Sequence, residues 1–163
     1  MGRDLPGELA AVLARMPDPS RNDAVHALEA GLADDLGVPD TVAVASGTAA
    51  VHTVLLACGI GPGDDALLPS ACVVMSAAPV IHAGARPVFV DCYADGVDLD
   101  WDDAAGKVTP RTRAIMRVHL WGLPCCRAAK LRDFAAAHGL RVIEDACQAQ
   151  GSRTGGQALG TRR

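Results

Sequence analysis

Residues 127–148, RAAKLRDFAAAHGLRVIEDACQ, change hydrophobic period partway along. Leu131, Phe134 and Ala135 fall on one face of a helix over 127–138, and the β-rich run 141–143 then leads straight into two acids, Glu144 and Asp145. A helix that delivers the chain into an apolar strand is half of a parallel crossover unit. The same alternation runs upstream: β-rich apolar runs at 41–45, 66–69, 87–90 and 114–120, with helical stretches at 48–58 and 71–82 between them. Strands alternating with helices imply an α/β fold, a mainly parallel sheet with helices on both faces.

Ahead of this pattern, Leu9, Val12, Leu13 and Met16 recur at helical spacing and the run stops at Pro17. Residues 1–21 therefore read as an N-terminal helix and a connector. Asn22 is placed to cap a second helix with Val25, Leu28, Leu32 and Leu36 on its apolar face, and Gly37 is placed to end it.

Composition narrows the class. The 163 residues are 50% apolar and 21% charged with five aromatics, one domain's worth of globular sequence. Fifteen basic against 19 acidic side chains leave a net charge of -4, and no Lys/Arg run forms a stripe for a nucleic-acid backbone. The start, with Arg3, Asp4, Pro6 and Glu8, lacks the unbroken apolar stretch of an export signal. The longest run free of both charged residues and histidine, 66–81, contains Pro69 and Pro79 and is shorter than the roughly 20 residues that span a bilayer. No nucleic-acid or membrane partner is expected. Six cysteines, Cys58, Cys72, Cys92, Cys125, Cys126 and Cys147, show no C-x-x-C pair and no zinc spacing, so reduced core thiols in a cytoplasm are expected and no metal.

Functional groups of such a sheet gather beyond the carboxyl ends of its strands. Three segments stand there. Ser46-Gly47-Thr48-Ala49-Ala50 opens a helix and offers free N–H groups, a hydroxyl and a helix dipole to an anion, or is small only to let helix and strand pack closely. Glu144 and Asp145 end an apolar strand, where a carboxylate needs a cation, a protonated ring nitrogen, an arginine or a turn to cap; Asp145 is the sharper candidate. His119 and Trp121 close the 114–120 run, with His119 either a hydrogen-bonded structural residue or a participant in chemistry.

Six segments, 43–50 (AVASGTAA), 59–64 (GIGPGD), 84–91 (GARPVFVD), 109–115 (TPRTRAI), 118–122 (VHLWG) and 144–149 (EDACQA), occur in the order and spacing of one family. The chain resembles the DegT/DnrJ/EryC1/StrS aminotransferases from about Asn22 to Thr161. The resemblance implies the pyridoxal 5'-phosphate (PLP) enzyme fold of aspartate aminotransferase, with 22–163 as the N-terminal part of the large domain. It also implies transfer of an amino group from an amino acid to a keto-sugar or cyclitol ketone in bacterial amino-sugar biosynthesis, by a homodimeric cytoplasmic enzyme.

Carried over residue by residue, Gly47, Thr48 and Ala49 would hold the cofactor phosphate. Asp145 would pair with the pyridine nitrogen and keep it protonated, and Gln148 would lie near the ring's 3-hydroxyl. Val73 stands where the family usually places an aromatic ring over the cofactor. The family's Schiff-base lysine follows a Ser-Phe strand downstream of the Gly-Thr that matches Gly160-Thr161, and neither Lys107 nor Lys130 matches it. The expectation is therefore a truncated chain with no catalytic residue of its own and inactive by itself, its run 41–45 left without strand neighbours. The alternative is a non-catalytic, partner-binding product that still takes a phosphorylated ligand.

Overall fold

A computed structural model describes residues 5–15, 21–94, 96–124 and 128–161. The chain divides after Ala43 into two compact units.

The first unit holds helices α1 (Leu5–Leu13) and α2 (Asp23–Leu36). Gly37 ends α2 in the left-handed conformation at φ 67° that glycine adopts without penalty, as its sequence position implies. Asn22 does stand at the N-cap, but its side chain makes no capping hydrogen bond, which corrects the capping role expected for it. α2 buries no residue, and Val25, Leu28 and Leu32 are exposed, as are Leu9, Val12 and Leu13 of α1. Met16 and the connector 17–20 lie outside the described residues.

The run 41–45 is not a strand, contrary to its composition. The Ala43 N–H donates to Glu29 Oε1 at 2.8 Å and Thr41 Oγ1 to the Glu29 carbonyl at 2.7 Å, so these donors go to α2. Val42 is 77% exposed, and β-propensity without a paired neighbour makes no strand.

The second unit opens with helix α3 (Gly47–Ala57) and continues β1 (Asp65–Pro69), α4 (Val74–His82), β2 (Arg86–Val90), α5 (Trp101–Lys107), β3 (Thr112–Val118), α6 (Ala128–His138) and β4 (Arg141–Asp145). The four strands form one parallel sheet in the order β2-β1-β3-β4. The chain leaves β1 in one direction and returns past it to β3, so the winding reverses between β1 and β3.

Strand periodicity explains the layers. Ala66 and Leu68 of β1, Ala114, Met116 and Val118 of β3 and Ile143 of β4 pack with Val51 and Leu55 of α3 and Val80 of α4. Leu67 and Ile115, one residue out of phase, pack on the other side with Ala104 of α5 and Leu131 and Ala135 of α6. Helices thus cover both faces, and the central strand β1 is buried along its whole length.

Four further elements differ from their sequence reading. α5 went unread, though Asp100 caps it by accepting from the N–H groups of Asp102 and Asp103, and Lys107 closes back on Asp103 at 2.6 Å. Strands β5 (Arg153–Thr154) and β6 (Gln157–Ala158) form a small hairpin around Gly155-Gly156. β3 ends at Val118 rather than 120, because residues 120–122 coil into a 3₁₀ turn with Trp121 at φ 56°. Cys58 and Cys72 are free and half-buried against the core, Cys92 is half-buried, and Cys147 is exposed rather than a core thiol; Cys125 and Cys126 lie outside the described residues.

Candidate functional site

β4 runs through both acids, so Glu144 and Asp145 point to opposite sides of the strand. Asp145, 6% exposed, faces a cavity of about 200 Å³ at the carboxyl ends of the strands, lined by Gly47, Thr48, Val73, His119, Gln148 and Cys147 together with Met75 and Val118. This is the edge where the winding reverses and where a doubly wound sheet holds its ligands.

One end of the cavity is the start of α3. Ser46, extended at φ -165°, caps the helix by accepting the Ala49 N–H at 3.1 Å. That bond occupies the third N–H of the helix and leaves those of Gly47 and Thr48, both in the cavity wall, pointing out of the helix end. Ala49 itself does not line the cavity.

The carboxylate end is tied from two elements. Asp145 Oδ2 accepts the Ser76 hydroxyl at 2.7 Å, and Oδ1 accepts the Cys147 N–H at 3.1 Å. Burial and the Asp145 carboxylate push the Cys147 thiol up to about 11, so the sulfur stays protonated at neutral pH. Burial also raises the Cys72 thiol, with smaller contributions from Cys92 and Asp145. Gln148 Oε1 accepts the Trp121 backbone N–H at 2.7 Å, which fixes which end of the side-chain amide carries the oxygen and which the NH₂.

Glu144 answers a different need. Its Oε1 lies 2.5 Å from Arg117 and 3.4 Å from His119 Nε2, and all three side chains are more than nine-tenths buried. The Arg117 contact is an ion pair by distance rather than a well-directed hydrogen bond. His119 is fully buried in the cavity wall, and its N–H donates to the Asp145 carbonyl at 2.9 Å.

Five of the six residues that the resemblance assigns to the cofactor, Gly47, Thr48, Val73, Asp145 and Gln148, line one cavity together with the candidate His119, and Ala49 stands beside it. Ser76, Met75 and Cys147 were not singled out. A polar residue inside the uncharged run 66–81 was the available signal for Ser76. Among the described residues no group of three or more His, Cys, Asp or Glu could hold a metal ion, and no helix is long and apolar enough to cross a membrane.

A chain with this α/β sheet and this cavity falls in the class of aminotransferase folds. It belongs to the DegT/DnrJ/EryC1/StrS aminotransferase family, whose model matches residues 14–163. It is 41% identical over 133 residues to GDP-perosamine synthase of Caulobacter vibrioides, covering 82% of this chain and 36% of that protein. Its structure is similar to that of DesV from S. venezuelae, with a TM-score of 0.88 and 37% identity over 98% of this chain and 43% of that one. It is also similar to NtdA from Bacillus subtilis solved with bound cofactor PMP, with a TM-score of 0.78 and 31% identity over 91% of this chain and 34% of that one. The chain thus spans about two fifths or less of the length of these relatives.

Proposed function

We propose that this chain carries the cofactor-ring side of the active site of a PLP-dependent aminotransferase that moves an amino group from an amino acid to a keto-sugar or cyclitol ketone. The observation that carries the reading is the convergence, across one cavity, of an anion-binding helix start at Gly47 and Thr48 with the buried carboxylate of Asp145. The donor set fits the cofactor: N–H groups that the helix itself does not engage suit a phosphate, and a buried carboxylate suits a protonated ring nitrogen.

When bound, the cofactor supplies an electron-withdrawing ring that takes up the electrons left as the amino donor loses its α-proton. The chain's own residues do the rest of the work assigned to them. Gly47 and Thr48, with Ala49 behind them, hold the phosphate. Asp145 keeps a proton on the ring nitrogen, and the Gln148 amide donates toward the 3-hydroxyl. Val73, Met75 and Val118 line the cavity with apolar groups. Val73 supplies aliphatic contact where the family usually stacks an aromatic ring.

Neither lysine of the chain lines the cavity: Lys107 is bound to Asp103 on α5, and Lys130 lies on α6. The 163 residues by themselves are therefore proposed to bind cofactor without transaminating, and the catalytic amine to belong to the complete, homodimeric, cytoplasmic enzyme.

Pyridoxamine phosphate tests this directly, because it already carries an amine and needs no lysine to bind. Saturable binding to the 163-residue chain, lost in Asp145→Ala, with no amino transfer from glutamate to a nucleotide keto-sugar, is the expected result. A wild-type chain that shows no affinity for pyridoxamine phosphate overturns the reading.

A further inference from the structure

We propose that Ser76 is a positioning residue for Asp145: its buried hydroxyl sets the rotation of the carboxylate, so that the cavity selects ligands presenting a cationic N–H. Ser76 is 0% exposed and its Oγ donates to Asp145 Oδ2 at 2.7 Å, across 69 residues of sequence. The inference deepens the cofactor reading above and rests on it only for the identity of the ligand.

The terminal torsion of an aspartate is broad and two-fold, so strand position alone does not orient the carboxylate. Two donors on separate oxygens do. The Cys147 N–H holds Oδ1 from the segment that follows β4, and Ser76 holds Oδ2 from α4. With both oxygens held in this way, the carboxylate presents a fixed edge to the cavity, and a buried carboxylate is satisfied by a ligand that brings it a cationic N–H.

Two features mark the contact as more than incidental core polarity. A helical serine ordinarily bonds back to the carbonyl one turn earlier, whereas this one reaches out of its helix to a site residue. α4 also begins one residue after Val73, which lines the same cavity, so one rigid element delivers an apolar wall and the donor that aims Asp145.

The test uses the 163-residue chain and its Ser76→Ala and Ser76→Thr variants, with the Asp145 carboxyl ¹³C signal at pH 7 and the affinity for pyridoxamine phosphate as readouts. Asp145→Asn assigns the signal. In Ser76→Ala the signal shifts and affinity falls about tenfold, a step of about 1.4 kcal/mol, and in Ser76→Thr both return toward wild type. If Ser76→Ala does not fold, Ser76→Cys replaces it, with the same shift expected from a weaker donor. An unmoved signal in the hydroxyl-free or thiol variant, or a threonine variant that behaves like alanine, overturns the proposal. If no form binds pyridoxamine phosphate, the cofactor reading fails alone, and the carboxyl signal still decides the role of Ser76.

Discussion

A methyl group placed on Gly47 would stand 2.5 Å from the sulfur of Cys147 and 3.6 Å from its Cβ. The first turn of α3 and the segment after β4 thus meet closely at the cavity, and the crowding at position 47 comes from one side-chain atom, the Cys147 sulfur.

Gly47→Ala should push α3 away from Cys147 and lower affinity for pyridoxamine phosphate by about tenfold, the scale of a small overpacking strain. Cys147→Ala removes the sulfur and leaves only the Cβ contact. The double variant should therefore bind better than Gly47→Ala alone. Equal affinities for the single and double variants would show that the crowding is not what Gly47 relieves.

Arg117 and Glu144 form a buried pair beside His119. Removing the cation alone takes the guanidinium from a buried carboxylate, so Arg117→Met should cost about 3–5 kcal/mol in denaturant unfolding. Adding Glu144→Gln should recover a large part of that loss. A double variant no more stable than Arg117→Met would place the damage in lost packing instead.

At the opposite end of β1, Asp65 accepts a forked pair of hydrogen bonds from Arg86, both at 2.8 Å, and one from Thr109 at 3.2 Å. The Arg86 guanidinium, helped by Thr109 and Arg111 against the cost of burial, holds the carboxyl below its ordinary value of 3.8. A depressed carboxylate stabilises the fold fully above its unfolded pKa and loses that contribution as pH falls through the folded one. The melting temperature of the wild type should therefore drop more steeply below pH 4 than that of Asp65→Asn. Parallel acid profiles would remove Asp65 from the account.

Cys147 is exposed, yet its thiol is pushed up to about 11, by burial of the sulfur first and the Asp145 carboxylate second. The thiolate is the reactive form, so alkylation of Cys147 at pH 8 should be slower than that of a free thiol and rise steeply toward pH 11. Asp145→Asn should accelerate it at pH 8. A rate at pH 8 matching a model thiol would contradict the protonated state.

Much of the architecture was legible because period is a local property. Leu131, Phe134 and Ala135 announced a helix face, and β1, β2 and β4 lay where β-rich runs met turn signals. The run 41–45 has the same composition and forms no strand, since a strand exists only with a neighbour and Ala43 finds Glu29 instead. α5 escaped because its signal is electrostatic, Asp100 to Asp103 at the start and Lys107 at the end, rather than periodic.

The site divides along the same line. Asp145 at the end of an apolar strand and the small-residue turn at Gly47 were visible as chemistry, because an unsolvated carboxylate and an open helix start each demand a partner wherever they occur. That Glu144 turns instead to Arg117 follows from the strand continuing through both acids, a matter of hydrogen bonding with β3.

The sequence by itself determined the alternating fold, the family and the candidate residues that line the cavity, since these rest on local pattern and side-chain chemistry. Only the tertiary structure decided that Ser76 would bond Asp145, that the Cys147 sulfur would crowd position 47, and that the Trp121 backbone N–H would donate to the Gln148 side-chain carbonyl. These relationships join segments 69, 100 and 27 residues apart, and no local period encodes which groups long-range packing will bring together.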